Sequence, residues 1–388
     1  MIFTDIAYFI FLALVVLAYR QAGVRARPYV IIASGLAFYA YYATGFAWLF
    51  IAEALAVYFL TRENKFAYLA ALALPLVVLG YYKYAAFFYS ALFNGPNPFA
   101  YIAFPLAISF FTFEFLHYSF DWARGRISKP SVTNFMAFAF FFPSMAAGPI
   151  KRFQEFDAQL REAPAAGAGD LYAGGVRIIG GLFKKLVLAD SLAYFSSVLA
   201  SSFYVEHATA YQLWFALAAF TLKVYFDFSG YSDIAIGSAR LFGIKIPENF
   251  DYPLLARNIA QFWRKWHMSL YSWLNDYVFT PLSVSLRNWK AWGLAASILA
   301  VFGASGLWHG SDWNFIAWGL AHGAAVVAYF IYTRTLKPFL SRKAWYATSV
   351  ANAAAVGINL VFVVASFSLF AAPLSTAALV LQKIFLLA

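Results

Sequence analysis

Long apolar runs separated by short polar segments are the main pattern of this chain. Several runs are shorter than the about 20 residues that cross a full hydrocarbon core, so we expect tilt or partial insertion for those helices. The predicted helices are Ile6–Tyr19, Tyr29–Tyr42, Trp48–Leu60, Phe66–Leu92, Tyr101–Phe120, Leu171–Leu188, Tyr211–Phe228, Trp292–Ser305, Trp313–Ile331, Ala347–Phe370 and a shorter tail, Ala377–Leu387. The pattern predicts an all-α polytopic membrane protein with about ten or eleven transmembrane helices.

Two stretches are too polar, or too often interrupted, to be simple transmembrane helices. Asn134–Phe153 is broken by proline and glycine, which membrane proteins tolerate where neighbouring helices or cavities satisfy the freed backbone. Pro247–Leu286 is rich in Trp but also carries several charges, which is typical of interfacial or re-entrant helices. Since the chain has no internal repeat and no long linker, we expect one domain that extends over residues 1–388.

Composition supports the membrane class. Apolar residues make up 63% of the chain and charged residues only 12%, whereas a soluble domain carries about a quarter charged residues. The absence of cysteine excludes a disulfide framework, a thiol nucleophile and a Cys-ligated metal. The net charge of +11 lies in short loops between apolar runs, so we interpret it as membrane topology and expect no nucleic-acid partner.

The positions of the basic residues orient the predicted helices. Basic residues follow the first, third and fifth helices, whereas the loops after the second and fourth helices contain no Lys or Arg. This alternation predicts a multi-pass protein of the cell membrane with its N-terminus outside and its basic loops in the cytoplasm. We expect the first apolar run to be retained, because no basic segment precedes it. The basic loop residues are Arg20, Arg25, Arg27, Arg62, Lys65, Arg124, Arg126, Lys129, Arg334, Lys337, Arg342 and Lys343.

His309 is the candidate for chemistry that the pattern singles out, because it lies between two apolar runs. Burying an ionisable group in a membrane costs free energy, so such residues have partners or line substrate paths. A metal site is disfavoured, since His322 is thirteen residues away and no ligand cluster appears. The Gly-x-Ser-x-Gly motif of a catalytic triad is absent. We therefore predict a buried general base at His309.

Two further segments concentrate polar groups. Asp227, Ser229 and Asp233 lie at the end of a predicted helix, where they would either cap the helix end or form the polar wall of a substrate path. In the second segment, Arg264 and Lys265 would face lipid phosphates or an anionic donor, and its Trp residues suit the headgroup level. From the residues alone, His267 of this segment fits a hydrogen-bonded structural histidine better than a catalyst.

Six motifs occur together in one order between residues 109 and 323. They are Ser109–Phe113, Ala147–Ile150, Gly181–Lys185, Tyr225–Asp233, Phe262–Leu270 and Gly306–Gly310. In this order they resemble the signatures of the membrane-bound O-acyltransferase family, and most of all its bacterial branch of alginate O-acetyltransferase and teichoic-acid D-alanyl transferase. The resemblance implies a bowl-like helical bundle with a thinned centre and a tunnel, entered by a cytoplasmic acyl thioester on one side and an acceptor on the other.

The resemblance also implies two functional histidines, matched here by His309 and His267. His309 would take the proton of an acceptor hydroxyl, and His267 or the Trp308 indole would stabilise the oxyanion. We predict acetyl transfer from acetyl-CoA or an acyl carrier protein to an extracytoplasmic polysaccharide or envelope polymer. D-alanyl transfer toward a teichoic-acid-like polymer is the alternative, and a transporter or scaffold without chemistry is the second alternative.

The donor phosphates would be attracted by Lys151, Arg152, Arg264 and Lys265. Expected partners are the lipid bilayer and either a periplasmic transferase or a small relay subunit, with no permanently bound cofactor and no metal. Asn275 stands where related acetylases often carry a basic residue. The complete predicted site consists of catalytic His309 and His267, with substrate-binding Trp308, Asp227, Ser229, Asp233, Asn249, Arg264, Lys265, Trp266, Asp276, Lys151 and Arg152.

Overall fold

Helices make up nearly all of the regular structure in a computed structural model of the protein, which describes residues 2–43, 45–128, 130–162 and 166–386. Lys129, one of the loop cations, and Leu387, the end of the predicted tail helix, lie outside these ranges. Within them, extended pairing is limited to one antiparallel bridge between Phe250 and Trp266. The predicted all-α membrane class is confirmed.

The chain divides into two compact units, although one domain was expected from the sequence. The first unit contains the residues up to Phe183 together with Gly230–Glu248. Its core is aromatic, as in the stacked pair of Phe50 and Phe111 with ring centroids 4.2 Å apart. Its helices are α1 (Ile6–Gln21), α2 (Arg27–Tyr42), α3 (Ala47–Leu60), α4 (Lys65–Leu79), α5 (Ala85–Leu92), α6 (Ile108–Ala123), α7 (Val132–Ala139), α8 (Phe142–Met145), α9 (Phe153–Glu162) and α10 (Ala168–Leu182).

The second unit contains Lys184–Ser229 and the chain from Asn249 onwards. One of its clusters packs Trp263, Trp266 and Trp318 against the C-terminal helices. Its helices are α11 (Asp190–Ser196), α12 (Ser202–His207), the first part of α13 (Ala210–Leu241), α14 (Ile259–Lys265), α15 (Met268–Leu274), α16 (Thr280–Ser285), α17 (Lys290–His309), α18 (Trp313–Thr335), α19 (Lys337–Leu340), α20 (Ser349–Ser366), α21 (Ser368–Ala371) and α22 (Leu374–Leu386).

Helix α13 corrects one prediction. Its run of 32 residues continues through Asp227, Ser229 and Asp233, which the sequence placed at the end of a helix. The helix continues because cations neutralise the two carboxylates. Lys185 is paired with Asp227 at 3.1 Å, and Arg177 with Asp233 at 3.0 Å. These residues therefore do not cap a terminus.

Four stretches are long and apolar enough to cross a membrane, judged by length and composition in the described residues. They are Lys65–Leu92, Arg287–His309, Trp313–Thr335 and Ser349–Ala371. Shorter apolar helices, among them α1, α3 and α22, add to these. These helices agree with a multi-pass membrane protein. The number of ten or eleven membrane crossings and the external N-terminus stay predictions.

Helices α17 and α18 form a tightly packed hairpin. A Cβ atom added at Gly306 would lie 2.2 Å from the backbone oxygen of Phe315, and one added at Gly319 would lie 2.2 Å from that of Phe302. Only glycine permits this approach, and small residues are the usual contact surface between membrane helices. The contact fixes the end of α17, where His309 lies, against the first turns of α18.

Candidate active site

His309 is the last residue of α17. The turn after it ends at Asp312, whose carboxylate accepts a hydrogen bond from the Trp313 N–H at 2.6 Å and so begins α18. The imidazole packs edge-to-face against Trp318 and Phe370, with ring centroids 5.2 Å away in both cases. Because it lies at a helix end, His309 is only half-buried, whereas the sequence predicted a buried imidazole.

His267 lies between α14 and α15 in a left-handed backbone conformation, with φ of 47°. A short pairing imposes this conformation. The bridge between Phe250 and Trp266 precedes His267, and the Met268 N–H donates to the Asn249 carbonyl at 2.9 Å. A non-glycine residue with positive φ is strained, and such strain concentrates at functional sites.

Asn249 is fully buried and holds the start of α15. Its side-chain oxygen accepts a hydrogen bond from the Ser269 hydroxyl at 2.6 Å and a longer one from the Ser269 N–H at 3.4 Å. Together with the Met268 bond, these contacts fasten the chain on the C-terminal side of His267. In this structure Asn249 therefore positions His267, and its assignment to substrate binding stays a prediction.

The His267 imidazole is buried, with 2% of the residue exposed, and neither ring nitrogen has a hydrogen-bond partner among the described residues. This differs from the hydrogen-bonded structural histidine suggested by the residues alone. Its ring meets Phe228 edge-to-face at 4.6 Å. A buried ring nitrogen without a partner costs free energy, and a substrate group is one source of the missing bond.

Trp308 connects the two predicted catalytic histidines. Its ring centroid lies 5.8 Å from that of His267 and 4.6 Å from that of His309. The two imidazoles are also close enough to interact electrostatically. The structure therefore brings His267, Trp308 and His309 into one cluster, although the two histidines are 42 positions apart in the chain.

A cavity of about 170 Å³ opens beside His267. Helices α14, α15, α17 and α18 and the π-helical turn Asn275–Phe279 form its walls. Most of the lining side chains are apolar, and no Asp, Glu, Lys or Arg is among them. Its polar side chains besides His267 are those of Tyr271, Asn275 and Ser305. The arrangement suits an uncharged group that is placed against an imidazole.

Trp318 is an aromatic neighbour of the cluster that the predicted site did not include. Trp318 contacts His309 and also His322, the latter at 4.9 Å. The Ser366 hydroxyl donates to the Val363 carbonyl, so the 2.8 Å contact of His322 with that hydroxyl is a bond donated by His322 Nε2. The four-residue spacing of Trp318 and His322, which puts both on one helix face, was the available signal.

Asp227 and Ser229 lie in the second unit on α13. Buried Lys185 contacts Asp227 at 3.1 Å and Asp190 at 2.7 Å, so this lysine holds two carboxylates. Ser229 is buried, and its hydroxyl has no hydrogen-bond partner among the described residues. Lys185 was part of a recognised motif, but its pairing with Asp227 could not be inferred from spacing.

The predicted donor cations of the second unit differ in their surroundings. Arg264 is exposed, whereas Lys265 forms an ion pair with Asp251 at 2.7 Å. Trp266 is buried and stacks on Phe262, with centroids 5.4 Å apart. Its ring belongs to the aromatic core, and its position at the headgroup level stays a prediction.

Asp276 belongs to the π-helical turn Asn275–Phe279, of which Asn275 and Phe279 line the cavity. Its carboxylate accepts a hydrogen bond from the side-chain amide of Asn275 at 3.2 Å. Asn275 itself lines the cavity, so Asp276 orients a lining group. A direct contact of Asp276 with substrate stays a prediction.

Three predicted residues lie in the first unit. Asp233 is paired with Arg177, which also binds Glu248. Lys151 is buried and forms an ion pair with Glu114, so its ammonium group faces a carboxylate of the protein. Arg152 follows it and is half-buried. For these residues, contact with a donor phosphate stays a prediction.

Comparisons with known proteins identify the family to which the chain is similar. A model of the membrane-bound O-acyltransferase family matches residues 55–371. A probable alginate O-acetylase of Azotobacter vinelandii is 33% identical over 339 residues, which cover 82% of this chain and 66% of that protein. A peptidoglycan O-acetyltransferase of Helicobacter pylori is 30% identical over 364 residues, 83% of this chain and 68% of that protein.

The similarity to a second kind of transferase is more limited. A teichoic acid D-alanyltransferase of Bacillus subtilis is 30% identical over 244 residues, which cover 60% of this chain and 61% of that protein. The chain spans about two thirds of the length of the curated relatives it matches.

Proposed function

Because this chain belongs to the membrane-bound O-acyltransferase family, we propose that it transfers an acyl group from a thioester to a hydroxyl. The acceptor is part of an extracytoplasmic polysaccharide or another polymer of the cell envelope. The observation that carries the proposal is the contact of His267 and His309 with one indole ring, that of Trp308. One of these imidazoles lines a cavity of the size of a small substrate group.

In the proposed reaction, His309 accepts the proton of the acceptor hydroxyl as its oxygen attacks the thioester carbonyl. The new C–O bond forms, the carbonyl oxygen becomes an oxyanion, and the C–S bond then breaks. The departing thiolate accepts from His309 the proton that the acceptor hydroxyl gave up. Proton transfer of this kind contributes about 10²–10⁴-fold to a rate.

In the proposed reaction, His267 stabilises the oxyanion. Its ring nitrogens lack partners within the described residues, so one of them can donate a hydrogen bond without breaking another. The strained backbone fixes the ring before substrate arrives, which is the preorganisation that makes such donors effective. Packing of Trp308 against both rings holds the base and the oxyanion donor at a fixed position relative to each other.

The acyl group that best fits the cavity is acetyl. No charged side chain lines the cavity, and an uncharged acyl group of few atoms enters it without losing solvation of a charge. Two of the relatives described above are named as O-acetylases or O-acetyltransferases. The donor is an acyl thioester, either acetyl-CoA or an acetylated carrier protein.

D-alanyl transfer is the competing proposal, because one relative is named a teichoic acid D-alanyltransferase. A D-alanyl group carries an ammonium ion at neutral pH. Its burial in this cavity would place that charge among apolar side chains with no carboxylate to pair with, which costs several kcal/mol. We therefore expect strong discrimination against D-alanyl thioesters.

The polymer is on the opposite side of the membrane from the thioester, so we propose that a partner completes the transfer. This partner is a periplasmic transferase or a small relay subunit that presents its hydroxyl to His309. The position of His309 at the end of α17, in the turn before α18, places the base near one end of the hairpin. A base at that location is within reach of a hydroxyl from outside.

Release of free thiol from a labelled acetyl thioester tests the proposal. Acetyl-pantetheine serves as donor, and alginate and peptidoglycan fragments serve as acceptors, since these polymers are named for the relatives. We expect His309→Ala to lower the rate by about 10²–10⁴-fold. His207→Ala is the control, because His207 is exposed on α12.

Full transfer by a correctly folded His309→Ala variant would eliminate the proposed role of His309. A native protein that moves a solute across liposomes, but releases no thiol from any donor, would instead be a transporter. A scaffold would support transfer only after its partner is added, and would do so equally well without His309.

A further inference from the structure

Three aromatic rings from three helices meet at the end of α17. The His309 ring lies 5.2 Å from the rings of Trp318 and Phe370, and those two rings lie 5.1 Å from each other. We call these three residues the His309 ring cluster. His309 belongs to α17, Trp318 to α18 and Phe370 to α21. Because all three contacts are edge-to-face, a shift of any one of these helices would turn the imidazole.

A polar stripe on α18 runs past this ring cluster. Asn314, Trp318 and His322 follow one another at four-residue spacing, which puts them on one face of the helix. All three side chains are buried. Trp318 therefore has one polar residue a turn before it and another a turn after it. The amide and the imidazole need hydrogen-bond partners there, because a buried polar group without one costs free energy.

Both polar residues find their partners in the chain that carries Phe370. The Asn314 side-chain amide donates to the Leu369 carbonyl at 3.1 Å, and Leu369 is the residue before Phe370. His322 Nε2 donates to the hydroxyl of Ser366, the last residue of α20, at 2.8 Å. These bonds restrain the direction of approach between α18 and the α20–α21 segment, which the contacts between rings do not do alone.

From this arrangement, and on the basis of the proposed function, we propose that Asn314 and His322 are positioning residues for the catalytic His309. Asn314 acts through Phe370, since it holds the backbone next to that ring. His322 acts through Trp318, because its bond fixes the same face of α18 against the end of α20. Together they direct the imidazole toward the acceptor hydroxyl. Neither side chain touches the reacting atoms.

The chain offers a matched control for Asn314. Asn359 on α20 is also buried, and its side-chain amide donates to the Ala256 carbonyl at 3.1 Å, the distance found for Asn314 and Leu369. Neither Asn359 nor Ala256 is next to a member of the His309 ring cluster in the chain. Leucine has nearly the volume of asparagine but cannot donate. Asn314→Leu and Asn359→Leu therefore lose the same kind of bond, and we expect similar losses of thermal stability.

The two variants should differ in catalysis, which is measured as thiol release from acetyl-pantetheine. We expect Asn314→Leu to lower kcat by about 10- to 100-fold, because a base displaced by about 1 Å can lose that much. Its KM for the donor should stay within about twofold of the native value, since His309 does not hold the donor in the proposed reaction. Asn359→Leu should keep the native kcat and KM.

The second bond is tested by removing either of its partners. His322→Leu and Ser366→Ala delete the same interaction, so each should lower kcat, and the double variant should lower it no further than the more severe single variant. His322→Gln retains an N–H donor and should recover part of the loss. Ser366→Ala leaves the rings of His322 and Trp318 in place, so it carries the test if His322→Leu does not fold.

A spectroscopic signature reports on the position of His309 without any reaction. The chain has five histidines, so protein labelled with ¹³C-histidine gives few ring signals, and His309→Ala identifies the one of His309. Ring currents of Trp318 and Phe370 set the chemical shift of this signal. We expect Asn314→Leu to move the signal and Asn359→Leu to leave it in place.

Equal kcat values for Asn314→Leu and Asn359→Leu would overturn the proposal. A higher KM at unchanged kcat would also overturn it, because the amide would then serve donor binding. So would a His309 signal that does not move in Asn314→Leu. If the native protein transfers nothing, but Asn314→Leu alone moves that signal, the positioning of His309 stands and the proposed function fails.

Discussion

His267 illustrates what sequence can and cannot provide for a single residue. The cost of an ionisable group between apolar runs was sufficient to select His309. The same argument did not select His267, because its segment is polar enough to look solvated. Its positive φ is set by backbone pairing with Asn249 and Phe250, which lie well before it in the chain. Local patterns do not predict contacts of this range.

Strain at His267 leads to a prediction about stability and activity. A left-handed conformation costs a non-glycine residue about 1–2 kcal/mol, and glycine adopts it freely. We expect His267→Gly to keep its thermal stability within a few degrees, because relief of strain offsets lost packing. The rate of transfer should fall about 10²–10³-fold, because the variant lacks the oxyanion donor. Thermal unfolding and thiol release check the two parts, and a collapse of stability would show that His267 is structural.

Asn249 offers a test of positioning. Asn249→Ala removes the acceptor for Ser269, so stability should fall by about 1–3 kcal/mol and kcat should fall while KM for the donor changes little. The control is Asn64→Ala, since Asn64 caps α4 in the other unit. That variant should lose about 1 kcal/mol of stability and keep its kcat. An equal loss of kcat in both variants would contradict a positioning role.

At the scale of elements, hydropathy predicted both helices of the α17–α18 hairpin but ended the first helix too early. Hydropathy placed its end at Ser305, whereas α17 continues to His309. The glycine at 306 serves close helix packing and does not end the helix. In α13 the error was the same, since carboxylates neutralised by Lys185 and Arg177 were taken as a helix end.

The hairpin contact gives a prediction with a control in the same helix. A Cβ atom at position 306 would meet a backbone oxygen at 2.2 Å, whereas one at Gly303 would meet only the Leu320 side chain at 3.3 Å. We expect Gly306→Ala to destabilise the protein by about 1–3 kcal/mol and to reduce transfer, because α17 must move away from α18. Gly303→Ala should be tolerated. Unfolding in detergent and thiol release measure both, and equal stabilities would contradict the close contact.

For the whole molecule, composition was enough to predict the helical membrane class, but hydropathy does not give the number of membrane crossings. Runs such as Ile6–Tyr19 are too short to decide between a tilted span and a partly inserted helix. The hydropathy pattern does not predict the two units either. The chain leaves the first unit after Phe183, returns to it for Gly230–Glu248 and then leaves it again. Only contacts between distant segments define such units.

The predicted orientation can be tested directly, because the chain contains no cysteine. Single cysteines at Asn94 and Ser341 would lie in an uncharged loop and a basic loop. We expect an impermeant maleimide to label Asn94→Cys in intact spheroplasts, and Ser341→Cys only after the membrane is opened, because basic loops stay in the cytoplasm. The reverse labelling would place the basic loops outside and contradict the predicted orientation.

The cavity beside His267 has a consequence for inhibition. An engineered apolar cavity of about 150 Å³ in another protein remains dry and admits benzene or xenon, and this one measures about 170 Å³ with few polar walls. Chemically inert guests should therefore compete with the acyl group for its place. Pressurised xenon would slow transfer reversibly and would mark the acyl position in diffraction. A gas could thus report on a reaction whose natural acceptor is a polymer.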